Sequence, residues 1–382
     1  MILFGVDRIS EFEDWLSGRV ALLTTPTGRT ADNRSTIDVL KEKCDLQLLL
    51  APEHGVRGDK PAGAVFADEI DAPSGLPVCS LYTGGSKRLS AELLSKFDTL
   101  VYDVADVGCR YYTFISTLLY CIEDCAAAGK RLIVLDRPNP LGNRVEGGVL
   151  QSQTASFVGI YEIPVCYGLT CGELAVMMNE QLHLGCDLQV VPCRGLHREM
   201  TFRDWHRPWI LPSPNIPRYE TALLYPGTCL FEGTNCSEGR GTADPFAIIG
   251  APFVDAEALT REFDKRALAG VAATPIYFTP TTSKHRGMIC GGIHLHIMDE
   301  AALEPVKIGI TLLDLMRRMY PEDFRFLPPI REGGKPFISL LAGHRDFETS
   351  DWDADAILAR YEQESETFRK QSKKFHIYGG IG

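Results

Sequence analysis

Through the first 136 residues, short runs that are apolar from end to end alternate with stretches of helical period. "RVALLTT" (19–25), "LQLLLAP" (46–52), "LPVCSLY" (76–82), "DTLVYDV" (98–104) and "RLIVLD" (131–136) read as strands. "NRSTIDVLKEK" (33–43), "SAELLSKF" (90–97) and "YYTFISTLLYCIEDCAAAGK" (111–130) read as helices, the last closed by Gly129. Strands that are apolar on both faces and alternate with helices predict a parallel sheet covered on both sides. The expected fold class is therefore α/β, a doubly wound domain.

From about residue 150 the pattern changes. "GLTCGELAVMMNEQLHLG" (168–185) reads as a helix with Thr170 as N-cap and Glu173 three residues on, a capping box. "CDLQVVPCRG" (186–195) reads as a strand. A long Pro- and Gly-rich region follows, from "RPWILPSPNIPRYETALLYPGT" (207–228) through "LFEGTNCSEGRGTADPFAIIGAP" (230–252). Loops of this length inside a folded unit are functional or disordered. Trp205, Trp209, Tyr219, Tyr225, Phe231 and Phe246 favour packing. Helices near 256–268, 306–320 and 354–371 and a strand at "GGIHLHIM" (291–298) complete a second, α+β domain. The boundary falls between about 140 and 170, set here as 1–155 and 156–382.

Composition narrows the function. A chain of 382 residues that is 45% hydrophobic and 23% charged suits an ordinary globular protein. Its net charge of −11 argues against a nucleic-acid partner, which needs a basic face. No run reaches the length of a membrane span. The opening "MILFGVDRISEFEDWL" lacks the basic segment of a signal peptide. The twelve cysteines form no C-x-x-C, which points to free thiols in a reducing compartment, the cytoplasm. The first strand leads into "TPTGRTADNR", with neither a dinucleotide fingerprint nor a phosphate loop, so the sheet does not look like a dinucleotide binder. His294 and His296 share a strand face and read as a structural pair, with no metal expected.

The chemistry gathers where strands end. "LQLLLAP" runs into Glu53, His54 and Arg57; "DTLVYDV" into Asp103, Asp106 and Arg110; "RLIVLD" into Asp136 and Arg137. Open α/β sheets bind ligands outside these carboxyl ends. The second half adds Asn215 in "PSPNIP" and Glu232, Asn235, Glu238 and Arg240 in "FEGTNCSEGRGT". Lys284 lies in "SKHRGMICGG", a basic clamp or a solvated loop. A cleft of carboxylates, arginines and asparagines between two domains suits a small polar substrate. Facing carboxylates suit glycoside hydrolysis. The same residues suit a ligase, a lyase or a binding protein.

"PEHGVRG", "YDVADVGCRYYTFISTL", "LDRPNPLGN", "YGLTCGELA", "PSPNIP", "YPGTCLFEGTNCSEGRGTADPF" and "GAPF" resemble, in order, the motifs of the bacterial exo-β-N-acetylmuramidases. The likeness runs from about residue 5 to 378. It implies a Rossmann-like N-terminal domain, a smaller C-terminal domain and an active-site cleft between them. It implies release of N-acetylmuramic acid from the non-reducing end of peptidoglycan glycan fragments, without cofactor or metal. The partner implied is a small saccharide, a disaccharide or glycan end that carries this sugar.

On this resemblance Glu53 matches the catalytic glutamate, with Asp106 or Glu238 as nucleophile or base. Help from the substrate's own 2-acetamido group is a third route. Arg57, Arg110 or Arg240 is expected to meet the lactyl carboxylate that distinguishes the sugar from N-acetylglucosamine. His54, Asp103, Tyr112, Asn139, Asn215, Glu232, Asn235 and Lys284 are expected to bind substrate. Two positions depart from the family pattern: Ala105 stands where a glutamine is usual, and Tyr167 where a histidine is usual. The rival readings are a non-catalytic binder of muramyl sugars and a hydrolase of another amino sugar.

Overall fold

Val20 and Leu22 face one hydrophobic core while Ala21 and Leu23 face another, and all four are fully buried. That is the period of two of a strand with both faces covered. The computed structural model describes residues 2–60, 67–81, 86–329, 331–349 and 351–380. In chain order the first elements are β1 (Arg19–Thr24), α1 (Thr36–Lys43), β2 (Asp45–Ala51), β3 (Glu69–Asp71), β4 (Leu76–Ser80) and α2 (Ala91–Leu94). β5 (Thr99–Asp103), α3 (Phe114–Ala127), β6 (Arg131–Leu135), β7 (Val145–Glu146), β8 (Cys166–Tyr167), α4 (Cys171–Gln181) and β9 (Asp187–Val191) follow. The strand expected over 76–82 ends at Ser80, and its Tyr82 lies outside the described residues.

Seven of these strands form one sheet in the order β3-β4-β2-β1-β5-β6-β9. Every neighbouring pair is parallel except β3 and β4. β9 pairs with β6 along five residues, so the sheet draws its edge from sequence well past residue 155. The reason is local. The chain leaves β6, makes the small β7–β8 ladder, and returns through α4 to lie parallel to β6, as a crossover unit requires. Thr170 and Glu173 form the expected capping box at the start of α4.

The second part holds α5 (Tyr219–Thr228), β10 (Ile248–Ala251), α6 (Ala256–Asp264), β11 (Val271–Phe278), β12 (Cys290–Ile297), α7 (Pro305–Met319), α8 (Phe337–Ala342) and α9 (Ala354–Ser372). β10, β12 and β11 form an antiparallel sheet. The region read as one long loop contains α5, which carries Pro226 inside it. α5 crosses α7 where Gly227 meets Gly309; a Cβ on Gly227 would stand 1.8 Å from the Pro305 carbonyl oxygen. One core runs from the α3–α4 face of the large sheet into this second part, so the two parts share buried surface. No helix among the described residues is long and apolar enough to cross a membrane.

Candidate active site

β2 delivers Glu53 through a tightly held turn. Pro52 ends the strand, and His54, Gly55 and Gly58 follow with φ of 74°, 75° and 75°. The glycines take this conformation freely, but His54 does so at a cost. Its ring is held at Nδ1, 3.1 Å from the Lys60 carbonyl oxygen. α3 begins directly behind, and the Thr113 hydroxyl donates to Glu53 Oε2 at 3.0 Å. The positive end of the helix dipole therefore lies on the side of the carboxylate.

Glu53 and His54 line a cavity of about 330 Å³. Tyr111, Tyr112, Thr113 and Phe114 line it from the start of α3. The second part contributes Asn215, Tyr225, Glu232, Arg240 and Phe246. The cavity therefore lies between the two parts, as expected for a cleft. The rings of Tyr112 and Tyr225 meet edge to face at 6.1 Å, and those of Tyr225 and Phe246 at 4.8 Å. Phe246 is a second non-glycine residue at positive φ, 63°. Two such residues on one cavity point to a shape that the surrounding structure enforces.

The polar wall is a charge network. Arg240 donates to Glu232 at 2.6 Å and pairs with Glu238 at 3.1 Å. Lys284 pairs with Glu238 at 2.8 Å and donates to the carbonyl oxygens of Phe231 and Thr234. Burial pushes the Glu232 carboxyl above its ordinary pKa, against the pull of Arg240. Glu238 is almost wholly buried and stands behind Arg240, outside the cavity lining. The carboxylate that shares the cavity with Glu53 is Glu232.

Other residues singled out in the sequence are occupied by the fold. Arg57 forms a two-pronged pair with Asp71 at 2.8 and 2.7 Å and tethers β3. That pairing, against the burial of Asp71, lowers the Asp71 pKa to about 2. Arg110 is wholly buried and donates to the carbonyls of Gly148, Ile163, Leu341 and Ala342. Asp103 is held by Arg137 at 2.6 and 3.0 Å and by the Thr36 hydroxyl. Asn139 closes a turn through Leu141 and Leu169, and Asn235 bridges to the backbone of Asp323 and Arg325. Arg57, Arg110, Asp103, Asn139 and Asn235 do not line the Glu53 cavity; of the other residues nominated for substrate, His54, Tyr112, Asn215, Glu232 and Arg240 do. His294 pairs with Asp244 and His296 with Thr274, so that strand face is a structural pair.

Residues 20–220 match the family model described as exo-β-N-acetylmuramidase NamZ, N-terminal, and residues 223–378 match its C-terminal counterpart. The chain belongs to the NamZ exo-β-N-acetylmuramidase family. It is 41% identical to the peptidoglycan β-N-acetylmuramidase NamZ of Bacillus subtilis strain 168, over 98% of this chain and 91% of that protein. Crystal structures of two DUF1343 family proteins of Bacteroides fragilis NCTC 9343 share the fold. One has a TM-score of 0.89 and 33% identity, with 99% of each chain covered. The other has a TM-score of 0.78 and 29% identity, with 100% of each covered.

The two departures from the NamZ motifs meet at one residue. The Tyr167 hydroxyl donates to Asp106 Oδ1, and Ala105 precedes Asp106 in the chain. Asp106 also accepts from the Gly108 amide at 2.6 Å. Burial pushes its carboxyl up to about 7, although Tyr167 and the backbone amides pull the other way. Asp106 does not line the Glu53 cavity. Sequence reasoning passed over Thr113, Tyr111, Phe114 and Ser213 as lining residues. Thr113 falls inside the helix read over 111–130, which in the structure starts one residue later, at Phe114.

Proposed function

We propose that this protein is an exo-β-N-acetylmuramidase that releases N-acetylmuramic acid from the non-reducing end of peptidoglycan fragments. The observation that carries the reading is the pairing of Glu53 and Glu232 on one aromatic-walled cavity in a chain of the NamZ family. The relative in Bacillus subtilis is named as a peptidoglycan β-N-acetylmuramidase, and its 41% identity supports the same activity here.

Glu53 is the proton donor to the leaving oxygen, held in line by Thr113. Glu232 is the second carboxylate, the part for which the sequence offered Asp106 or Glu238. It acts on the opposite face of the sugar, as base for water or as nucleophile. A carboxyl separation of about 5–5.5 Å in the complex gives retention and about 6.5–9.5 Å gives inversion. Tyr112, Tyr225 and Phe246 supply ring faces and edges for the pyranose. Of the three arginines nominated for the lactyl carboxylate, Arg240 lines the cavity. Lys284 takes up part of the Glu238 charge, so that Arg240 divides its own between Glu232 and the incoming anion.

All twelve cysteines are free, and eleven of them are buried, which supports residence in the reducing cytoplasm. The test of the activity is hydrolysis of a chromogenic β-N-acetylmuraminide beside the matching β-N-acetylglucosaminide. Wild type should cleave the first. Glu53→Gln should lose about 10²–10⁴-fold in turnover, the usual contribution of a positioned general acid. Binding of N-acetylmuramic acid with no turnover, unaffected by Glu53→Gln, would instead identify a sugar-binding protein.

A further inference from the structure

A second cavity, of about 70 Å³, opens at the carboxyl ends of β1, β5 and β6 and shares no lining residue with the Glu53 cavity. β1 and β5 are the strands between which the winding reverses: β2, β4 and β3 lie to one side, β6 and β9 to the other. Open α/β sheets hold ligands at such a switch point. The two cavities are neighbours in the chain, since Pro212 lines one and Ser213 the other.

Its chemistry is specific. Pro138, Pro140 and Trp209 give it apolar walls. Asp106 and Trp205 line it, and each is more than nine-tenths buried. Asp106 Oδ2 and Trp205 Nε1 have no hydrogen-bond partner among the described residues. A buried acceptor and a buried donor left unmatched are costly, and a ligand that satisfies both recovers that cost. Three arginines line the cavity, but Arg137 is held by Asp103 and Arg207 by Asp7. Once Asp106 is ionised, above its raised pKa of about 7, its charge offsets that of Arg29, so the cavity then favours neither an anion nor a cation. A small neutral group with one N–H, one carbonyl oxygen and one methyl fits these walls and this volume.

We propose that this crevice is an acetamide subsite, which takes the N-acetyl group of the sugar on the reducing side of the scissile bond. The amide N–H donates to Asp106 Oδ2, the carbonyl oxygen accepts from Trp205 Nε1, and the methyl rests on the prolines and Trp209. The assignment to the reducing-side sugar rests on the muramidase reading above. Ala105 lines the crevice, so the small side chain at this departure from the family motif leaves room for the group.

The test compares three substrates: β-N-acetylmuraminyl-(1→4)-N-acetylglucosamine, the same disaccharide with a free amine on the second sugar, and a chromogenic β-N-acetylmuraminide. The variants are Ala105→Leu, which fills the crevice, and Trp205→Phe, which keeps the ring and removes the N–H. Wild type should prefer the acetylated disaccharide by about tenfold in kcat/KM, the worth of one or two buried hydrogen bonds. Each variant should lose that preference through KM while it keeps its rate on the chromogenic glycoside. Equal losses on all three substrates, or no wild-type preference, overturn the subsite. A readout independent of turnover is quenching of tryptophan fluorescence by N-acetylglucosamine against glucosamine. Quenching by the acetylated sugar alone, abolished by Ala105→Leu, supports the subsite even if wild type cleaves nothing, a result that would sink the muramidase reading by itself. Cleavage without such selective quenching removes the subsite and leaves the activity standing.

Discussion

The Thr113 hydroxyl donates to Glu53 Oε2 across 3.0 Å and makes no cap to the helix that begins at its own carbonyl side. A threonine before α3 would ordinarily turn its oxygen toward the amides of the first helical turn. Here that oxygen ties the end of β2 to the start of α3. Thr113→Val should therefore cost little in helix stability and much in catalysis. A hydrogen bond to a charged group is worth about 1.5–3 kcal/mol, or roughly 10- to 100-fold in kcat/KM if it orients the acid. Thr113→Ser should restore most of the loss. Steady-state rates on a chromogenic muraminide beside thermal unfolding of the three proteins check both halves.

Arg240 stands between two carboxylates, Glu232 on the cavity and Glu238 behind it. Arg240→Met leaves Glu232 without its cation and Glu238 with Lys284 alone. Removing one partner from a buried ion pair costs about 3–5 kcal/mol. Denaturant unfolding should show a loss of this order. Arg240→Met combined with Glu232→Gln should be more stable than Arg240→Met alone, because the stranded charge is gone. A double variant no more stable than the single would show that the network does not act as a unit.

How much of this was legible in the sequence varies with the physics at each place. β1, β5 and β6 were plain, because strands buried on both faces are apolar throughout. The Thr170–Glu173 capping box was plain because it is local. Glu53, which lines the cavity, stands out in the sequence because an apolar strand that runs into Glu-His-Gly has no structural need of those residues. β9 was read as a strand, but its membership of the large sheet was not legible, since nothing in the sequence says that α4 is a crossover. α5 was missed because Pro226 and Gly227 read as breakers, and Gly227 is required only by the close approach of α7. Arg110, Asp103 and Asn235 looked like ligand-binding groups because sequence gives the donors and acceptors without their partners.

Arg110 illustrates the last point and is testable. Its guanidinium serves four carbonyl oxygens drawn from widely separated segments, at 2.6–3.0 Å. A lysine has three donors on a point charge and cannot reproduce the fork. Arg110→Lys should lower the unfolding free energy by several kcal/mol, at about 1–3 kcal/mol for each buried acceptor left unmatched. The ratio of activity on N-acetylmuraminides to that on N-acetylglucosaminides should stay where it is in wild type. A collapse of that ratio in a still-folded variant would mean that Arg110 does reach the lactyl carboxylate.

Asp106 sets a pH dependence of stability whose sign follows from its burial. Its carboxyl rises from an ordinary 3.8 in the unfolded chain to about 7 in the fold. The neighbours Tyr102, Tyr167 and Cys171 are themselves pushed well above their ordinary values by burial and stay neutral through this window. Between these two pH values the native state holds a proton that the unfolded state has released. Stability rises with pH only where the unfolded state binds more protons, so here it falls. The contribution is full below about pH 4, declines as pH rises toward 7, and is constant beyond. Asp106→Asn removes the titration. The unfolding free energy of wild type minus that of Asp106→Asn should drop by up to about 3–4 kcal/mol between pH 4 and pH 8, at 1.36 kcal/mol per pKa unit. Urea titrations of both proteins across that range measure it. A difference that is flat, or that grows with pH, would place an ionised Asp106 in the native state at pH 4.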